Sequence, residues 1–398
     1  MDAWHFTEMP YPNIPPHDEI TSMRVNLPNH HFDPKIGRDL YNRYFDEYII
    51  ADELGLDIMV NEHHSSVVCI DVAAPLSLAI LARQTKNARL LVLGNPVANR
   101  DDPIRIAEEM AMIDCISGGR LECGLVRGVT YEIFAANTNP TQTNERLWEG
   151  VELIEKAWTT HDGPFNYEGK FWHRRAVNIW PRPYQQPRPR IWITGSSDKD
   201  NIKIIARKGH VFATFLQPHQ SVRALFDLYR ENYIPNGLPG GLAYMPLVYT
   251  ANSENEAVAG AEELAWYLRT KAEPQLKNPP GYVGLDLNVR ALRGAFESRS
   301  SAVRAQGLDY LREAGIVICG TPDSVARHIK KLYEQLGGFD HLLMMQQAGF
   351  LSHKKTVKSM TLFAQEVYPQ IRDLAPSMFK PLEQETKYQA DEQVAAPN

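Results

Sequence analysis

What most constrains this chain is the steady alternation of short apolar runs with segments of helical apolar spacing. A run of roughly four to eight apolar residues, followed by a stripe recurring at three and four residues, describes a strand and the helix that returns over it. That pair is the repeating unit of a parallel sheet. The runs fall at 3–7, 56–60, 89–93, 121–125, 190–194, 211–214, 242–250 and 341–345. Eight is the number a closed parallel barrel needs, so the sequence predicts an α/β fold built as one (β/α)8 TIM barrel. An open doubly wound sheet is the alternative. It calls for a glycine-rich turn after the first strand, and Met9-Pro10-Tyr11-Pro12 stands there instead.

The helices announce their ends. Asp102 is placed to cap a helix that starts at Pro103, where the missing N–H costs nothing, and Thr321-Pro322 repeats the arrangement. Val325, Ile329, Leu332 and Leu336 follow as one apolar face; Leu147, Val151, Ile154 and Trp158 make a second. Val357, Met360, Ala364 and Val367 make a third, in a helix expected over 352–368. Such stripes belong against the barrel wall.

Insertions after strands 1, 4 and 7 break the rhythm. Residues 8–34 form a long proline-rich excursion that either packs over the pocket or covers the barrel rim. Residues 164–189 carry aromatics and prolines and read as a hairpin followed by an extended connection. Residues 270–304, with Pro274 and Pro279-Pro280-Gly281, read as a lid on the active face or as a linker. The barrel is expected over 1–380, with 381–398 a flexible tail.

Charge and cysteine content narrow the function classes. The net charge of −6 over 398 residues, with no basic run, gives no footprint for nucleic acid or an anionic membrane. Cys69, Cys115, Cys123 and Cys319 form no close pair, so neither a disulfide nor a metal site is expected from them. The N-terminal residues lack a basic start and a long apolar core, and no apolar stretch reaches about 18 residues. The expected compartment is cytoplasmic.

In a barrel, chemistry sits at the C-terminal ends of the strands. There the sequence puts Asn61-Glu62-His63-His64, then Gly94-Asn95-Pro96 with Arg105 on the helix beyond. Val126-Arg127-Gly128 and Gly195-Ser196-Ser197-Asp198 follow. Gly195, Ser196 and Ser197 lead into a helix, which makes either an ordinary cap or a phosphate cradle of N–H groups and hydroxyls. Arg127 offers a planar donor pair to a phosphate, or a surface ion pair. The two histidines after one strand point different ways and do not share a metal. One is suited to proton transfer, and Glu62 is placed to orient a histidine by accepting its second N–H. His30 and His31, on the excursion, are weaker candidates. No nucleophile elbow and no phosphate loop of the GxxxxGK type occurs.

Taken in order, the segments NEHH at 61–64, DPIRIAEE at 102–109 and DCISGGRLECGLVRG at 114–128 resemble one family. The aromatic insert at 165–172, IWITGSS at 191–197, CGTPDSVA at 319–326 and the run at 340–347 extend the match. The chain resembles the bacterial luciferase-like, flavin-dependent monooxygenases over nearly its whole length. The resemblance implies a barrel, usually a homodimer, that takes reduced FMN from a separate flavin reductase. It implies reaction with O2 through a flavin C4a-peroxide and oxidation of a small organic substrate. It places the catalytic histidine on His63 and the phosphate contacts on Arg105, Arg127, Ser196 and Ser197, beside Gly195. Asn95 and His64 become candidate contacts near the flavin ring, and 270–304 becomes the covering loop. Two alternatives stay open: a deazaflavin-dependent dehydrogenase of the same superfamily, and a non-catalytic partner subunit. The substrate is not legible.

Overall fold

The computed structural model describes residues 1–16, 18–195, 198–270, 303 and 305–374. Its strands are β1 (Asp2–Thr7), β2 (Asp57–Val60), β3 (Leu90–Pro96), β4 (Leu121–Val126), β5 (Phe165–Glu168) and β6 (His173–Val177). They continue as β7 (Arg190–Thr194), β8 (Val211–Phe215), β9 (Gly241–Met245), β10 (Leu247–Thr250), β11 (Val317–Gly320) and β12 (His341–Gln347). All pairings except β5–β6 and an isolated bridge are parallel, in the order β1-β2-β3-β4-β7-β8-β9-β12, and β12 pairs back to β1 through Asp2↔His341 to Thr7↔Gln347. The sheet is therefore a closed eight-stranded barrel, as the alternation predicts.

The wall has two packed sides. Trp4, Phe6, Leu91, Leu93, Trp192, Leu343 and Met345, at alternate positions on their strands, belong to the inner core. The residues between them pack outward on helices whose predicted faces are realised: Val325, Ile329, Leu332 and Leu336 are fully buried, as are Val151, Ile154 and Trp158. At the barrel's N-terminal end Trp4 and Trp192 meet edge to face at 5.4 Å. Trp192 Nε1 donates to Glu122 at 2.7 Å, so the plug of the barrel carries its own acceptor.

Of the two expected side-chain caps, one forms. Asp102 accepts from the Ile104 amide at 3.1 Å, and the helix Pro103–Ser117 closes on Gly118, whose φ of 68° is left-handed. Thr321 stands at the start of the helix Pro322–Gln335 but its side chain makes no cap bond to that helix; it engages Glu254 and Ser324 instead.

Three expectations need correction. The predicted seventh strand is broken at Pro246, which has no N–H for the ladder. Its first half, β9, stays in the barrel, and its second half, β10, pairs with β11, a strand the sequence reading left out. The helix expected over 352–368 is α-helical only over His353–Leu362 and continues through a π-helical turn, Phe363–Val367. That turn brings Phe363 into the core while Val357 and Ala364 are only half-buried. Strand β3 also runs on through Gly94, Asn95 and Pro96.

The insertions are fastened to the barrel. The hairpin β5–β6 turns over Glu149 of the helix Thr143–Thr159, whose carboxylate accepts from the amides of Lys170, Phe171 and Trp172. The aromatic insert is thus a structural clamp. The excursion after β1 lies along the loop after β2, with Tyr11 N–H on Val67 O, Val67 N–H on Met23 O and an Arg24–Ser66 bridge. It delivers Arg24 into the interior, where Nη1 donates to Tyr131 at 2.9 Å. His30 is exposed, its ring tilted against that of His31 with 4.0 Å between centroids, and neither lines the cavity at the barrel mouth. The tail 381–398 and all but a few residues of 270–304 lie outside the described residues.

Candidate active site

The C-terminal ends of β1, β2, β3, β4, β7, β8, β9 and β12 surround one cavity. Its wall is apolar along Phe6, Met59, Leu93, Leu343 and Met345, and polar along Glu8, Asn61, His63, Glu132 and Thr214. Arg127, Gly128, Gly195, Asp198 and Asn201 form its far rim.

Gly94 shows why the strand end is built this way. A Cβ there would lie 2.8 Å from the backbone oxygen of Gly124, so only glycine lets β3 and β4 approach this closely beside the cavity.

His63 is held by a partner that the sequence reading missed. Its Nδ1 is 2.9 Å from Glu132 Oε1, and the same oxygen accepts the His64 amide at 3.0 Å. Burial of the ring disfavours its charged form, but the charge and hydrogen bond of Glu132, with Glu8 behind, outweigh that and raise its pKa above the ordinary value. Burial likewise works against the Glu132 carboxylate, and His63 again outweighs it, leaving that pKa lowered. Glu132 is therefore the acceptor, Nδ1–H is the donor, and Nε2 is left on the cavity side, 3.9 Å from Glu8 Oε1.

The other predicted residues divide. Arg127 and Gly195 line the cavity, and Arg127 Nη1 donates to Asn144 at 3.1 Å. Asn144 in turn donates to Asp198, which caps the helix Lys199–Arg207. Ser196 and Ser197 lie outside the described residues. His64 turns away, as expected for adjacent residues; its Nε2 meets Glu62, which also takes Arg100 and the Ala74 amide. Glu62 thus orients His64, while Glu132 orients His63.

Arg105 is not part of the cavity: its side chain is 69% exposed on the outer face of its helix and pairs with Glu109. Asn95 is buried on the outward side of β3, with Nδ2 on Gly124 O at 3.3 Å and beside Met110. The ladder of β3 against β4 shifts register between Val92 and Asn95, so simple alternation breaks there: Leu93 and Gly94 both border the cavity, and Asn95 turns towards the helices.

Glu8 was within reach of the strand-end rule, since it follows β1 directly. Glu132 was not: it sits on the short helix Thr130–Ala135 after β4, and no spacing links it to His63.

Comparison with known proteins places the chain in a family. The family model described as luciferase-like monooxygenase matches residues 41–339. The chain belongs to the luciferase-like monooxygenase family. The oxygenase component of the flavin-dependent trigonelline monooxygenase of Acinetobacter baylyi is 29% identical over 58% of this chain and 65% of its own length. The FMNH(2)-dependent dimethylsulfone monooxygenase of Pseudomonas putida is 25% identical over 79% of this chain and 80% of its own. Among solved structures, the oxygenating constituent of 3,6-diketocamphane monooxygenase from Pseudomonas putida, in complex with FMN, superposes with a TM-score of 0.67. It is 20% identical and covers 93% of this chain and 98% of its own, a likeness of fold.

Proposed function

We propose that this chain is the oxygenase component of a two-component monooxygenase, which takes reduced FMN from a separate flavin reductase and uses O2 to oxidise a small organic substrate. The observation that carries the reading is His63: an imidazole fixed by Glu132 through Nδ1, with Nε2 turned to an apolar-walled cavity at the barrel mouth.

The residues present fit such a cofactor. Leu93, Gly94 and Val126 offer a flat, close-approach wall suited to an aromatic ring system, and Arg127 on the far rim offers a guanidinium to a phosphate. Gly195 opens the path to the helix Lys199–Arg207, with Ser196 and Ser197 the adjoining candidates. Asp198 stands on the same rim, its carboxylate engaged by Asn144 and by the Asp200 and Asn201 amides. Bound there, reduced FMN supplies the electrons and the oxygen-reactive centre. His63 holds a proton at Nε2 for delivery into the cavity, Glu132 keeps the ring oriented, and the apolar wall keeps water out. The segment 270–304 is proposed as the cover. Arg105, Asn95 and His64 are not carried forward as flavin contacts.

Association as a homodimer belongs to this reading. Leu76 on the helix Ala74–Gln84 and Met112 and Ile116 on the neighbouring helix Pro103–Ser117 expose 64%, 55% and 41% of their surface, apolar area that a second copy would bury. Among the described residues no helix is long and apolar enough to cross a membrane.

Anaerobic titration with reduced FMN tests the cofactor assignment. Saturable binding is expected, weakened on the order of tenfold in Arg127→Ala, the size of one charge-assisted contact. Preference for a reduced deazaflavin would move the protein to the dehydrogenases. Failure to bind either, with tight association to a homologous chain, would make it a supporting subunit.

A further inference from the structure

Glu8 is a buried carboxyl group on the cavity wall that the reading above leaves unused. It is 1% exposed, yet it borders the cavity. Its Oε2 accepts from Asn61 Nδ2 at 2.8 Å; Oε1 makes no hydrogen bond of full strength among the described residues, although the Tyr267 side chain stands close enough to favour the carboxylate. Buried carboxyl oxygens are normally satisfied, and one that is not calls for a reason. The charge nearest to it belongs to the site: Oε1 lies 3.9 Å from His63 Nε2.

We propose that Glu8 is a second proton-holding group of this site, exchanging a proton with His63 across the gap between Oε1 and Nε2. Because Glu132 keeps the Nδ1–H, the mobile proton is the one on Nε2. In the exchange the Nε2–H bond breaks and an O–H bond forms on Oε1; the imidazolium becomes neutral, the carboxylate becomes the acid, and no electrons are transferred. At 3.9 Å the two atoms are beyond direct hydrogen bonding, so a hydroxyl, a carbonyl or a water in the cavity completes the path. The histidine then stands between a carboxylate that orients it and a carboxyl that takes or returns its proton.

The surroundings support a carboxyl that changes state. Arg24 arrives from the excursion, Tyr131 and Glu132 from the helix Thr130–Ala135, Cys69 and Asp71 from the loop after β2, and Tyr267 from the turn Ala265–Arg269. Burial pushes the Glu8 pKa up; the charges of His63 and Arg24 and the hydrogen bonds of Tyr267 and Asn61 oppose it without cancelling it. Asp71 is likewise pushed up by burial, to about 6.

The inference rests on the proton-transfer role assigned to His63 above. Its test uses the full chain without flavin, labelled with 15N-histidine, and follows the His63 ring through its titration by NMR. Glu8→Gln keeps an oxygen for Asn61 but cannot ionise. It should lower the His63 titration by about one pH unit, the scale of a neighbouring charge. Glu8→Asp, which restores the carboxyl, should recover part of the shift. In the flavin-loaded enzyme Glu8→Gln should alter the pH profile of kcat while leaving KM little changed. An unmoved His63 titration in Glu8→Gln overturns the proposal. If that variant does not fold, a His63 titration unchanged in Glu8→Asp overturns it equally. Coupling by NMR without oxygenation by any flavin would leave the pair standing and remove the oxygenase reading. Oxygenation with an unaltered pH profile in Glu8→Gln would do the reverse.

Discussion

His63 holds its proton more firmly than a free imidazole because Glu132 sits on its Nδ1 and outweighs the cost of burial. That difference has a sign in stability. A group whose pKa rises on folding contributes fully below its unfolded value, about 6.5 for histidine, and loses the contribution as pH climbs through the folded value. Wild type should therefore lead His63→Gln in urea unfolding near pH 6, and the lead should shrink steadily towards pH 9. A gap that stays constant over that range would mean that Glu132 does not hold the histidine as a charged pair. The residue scale is also where the sequence was least complete. His63 was legible because it follows a strand end, but its partner lies 69 positions away, on a short helix that only the closed barrel brings near.

At the scale of the element, strand ends carry the site and their backbone is as specific as their side chains. Gly94→Ala would push a methyl group against the Gly124 carbonyl, with Val126 close by, so the backbone of β3 or β4 must move. The variant should fold with a stability loss of about 1–3 kcal/mol, and it should bind flavin worse than that loss explains. Unchanged melting and unchanged binding would show that the two strands have slack there. Caps, helix faces and most strand positions were readable because local rules set them: Asp102 before Pro103, and Val325 to Leu336 at helical spacing. The break at Pro246 was readable in principle, since proline has no N–H to give. The partnership of β10 with β11 was not, because it depends on a return of about seventy residues. Nor could the sequence show which face of its helix Arg105 occupies; the structure puts it on the exposed face, paired with Glu109.

At the scale of the whole molecule, closure of eight parallel strands gathers residues from positions 6 to 345 around one mouth. That convergence explains why the sequence gives the fold more readily than the cavity. The strands alternate whatever the substrate, while the wall is chosen from a few residues at the end of each strand. The same closure leaves two helices, Ala74–Gln84 and Pro103–Ser117, with exposed apolar side chains. Sedimentation should find a dimer, and Leu76→Glu with Met112→Glu should release monomers with an intact barrel; a wild-type monomer would contradict the proposed association. The central claim concerns oxygen. Reduced FMN bound to the protein without air should be mixed with oxygenated buffer and followed by stopped-flow absorbance. The account predicts a transient species that outlives the reaction of free reduced flavin and shortens in His63→Ala; immediate oxidation at the rate of free flavin, with no intermediate, would contradict it.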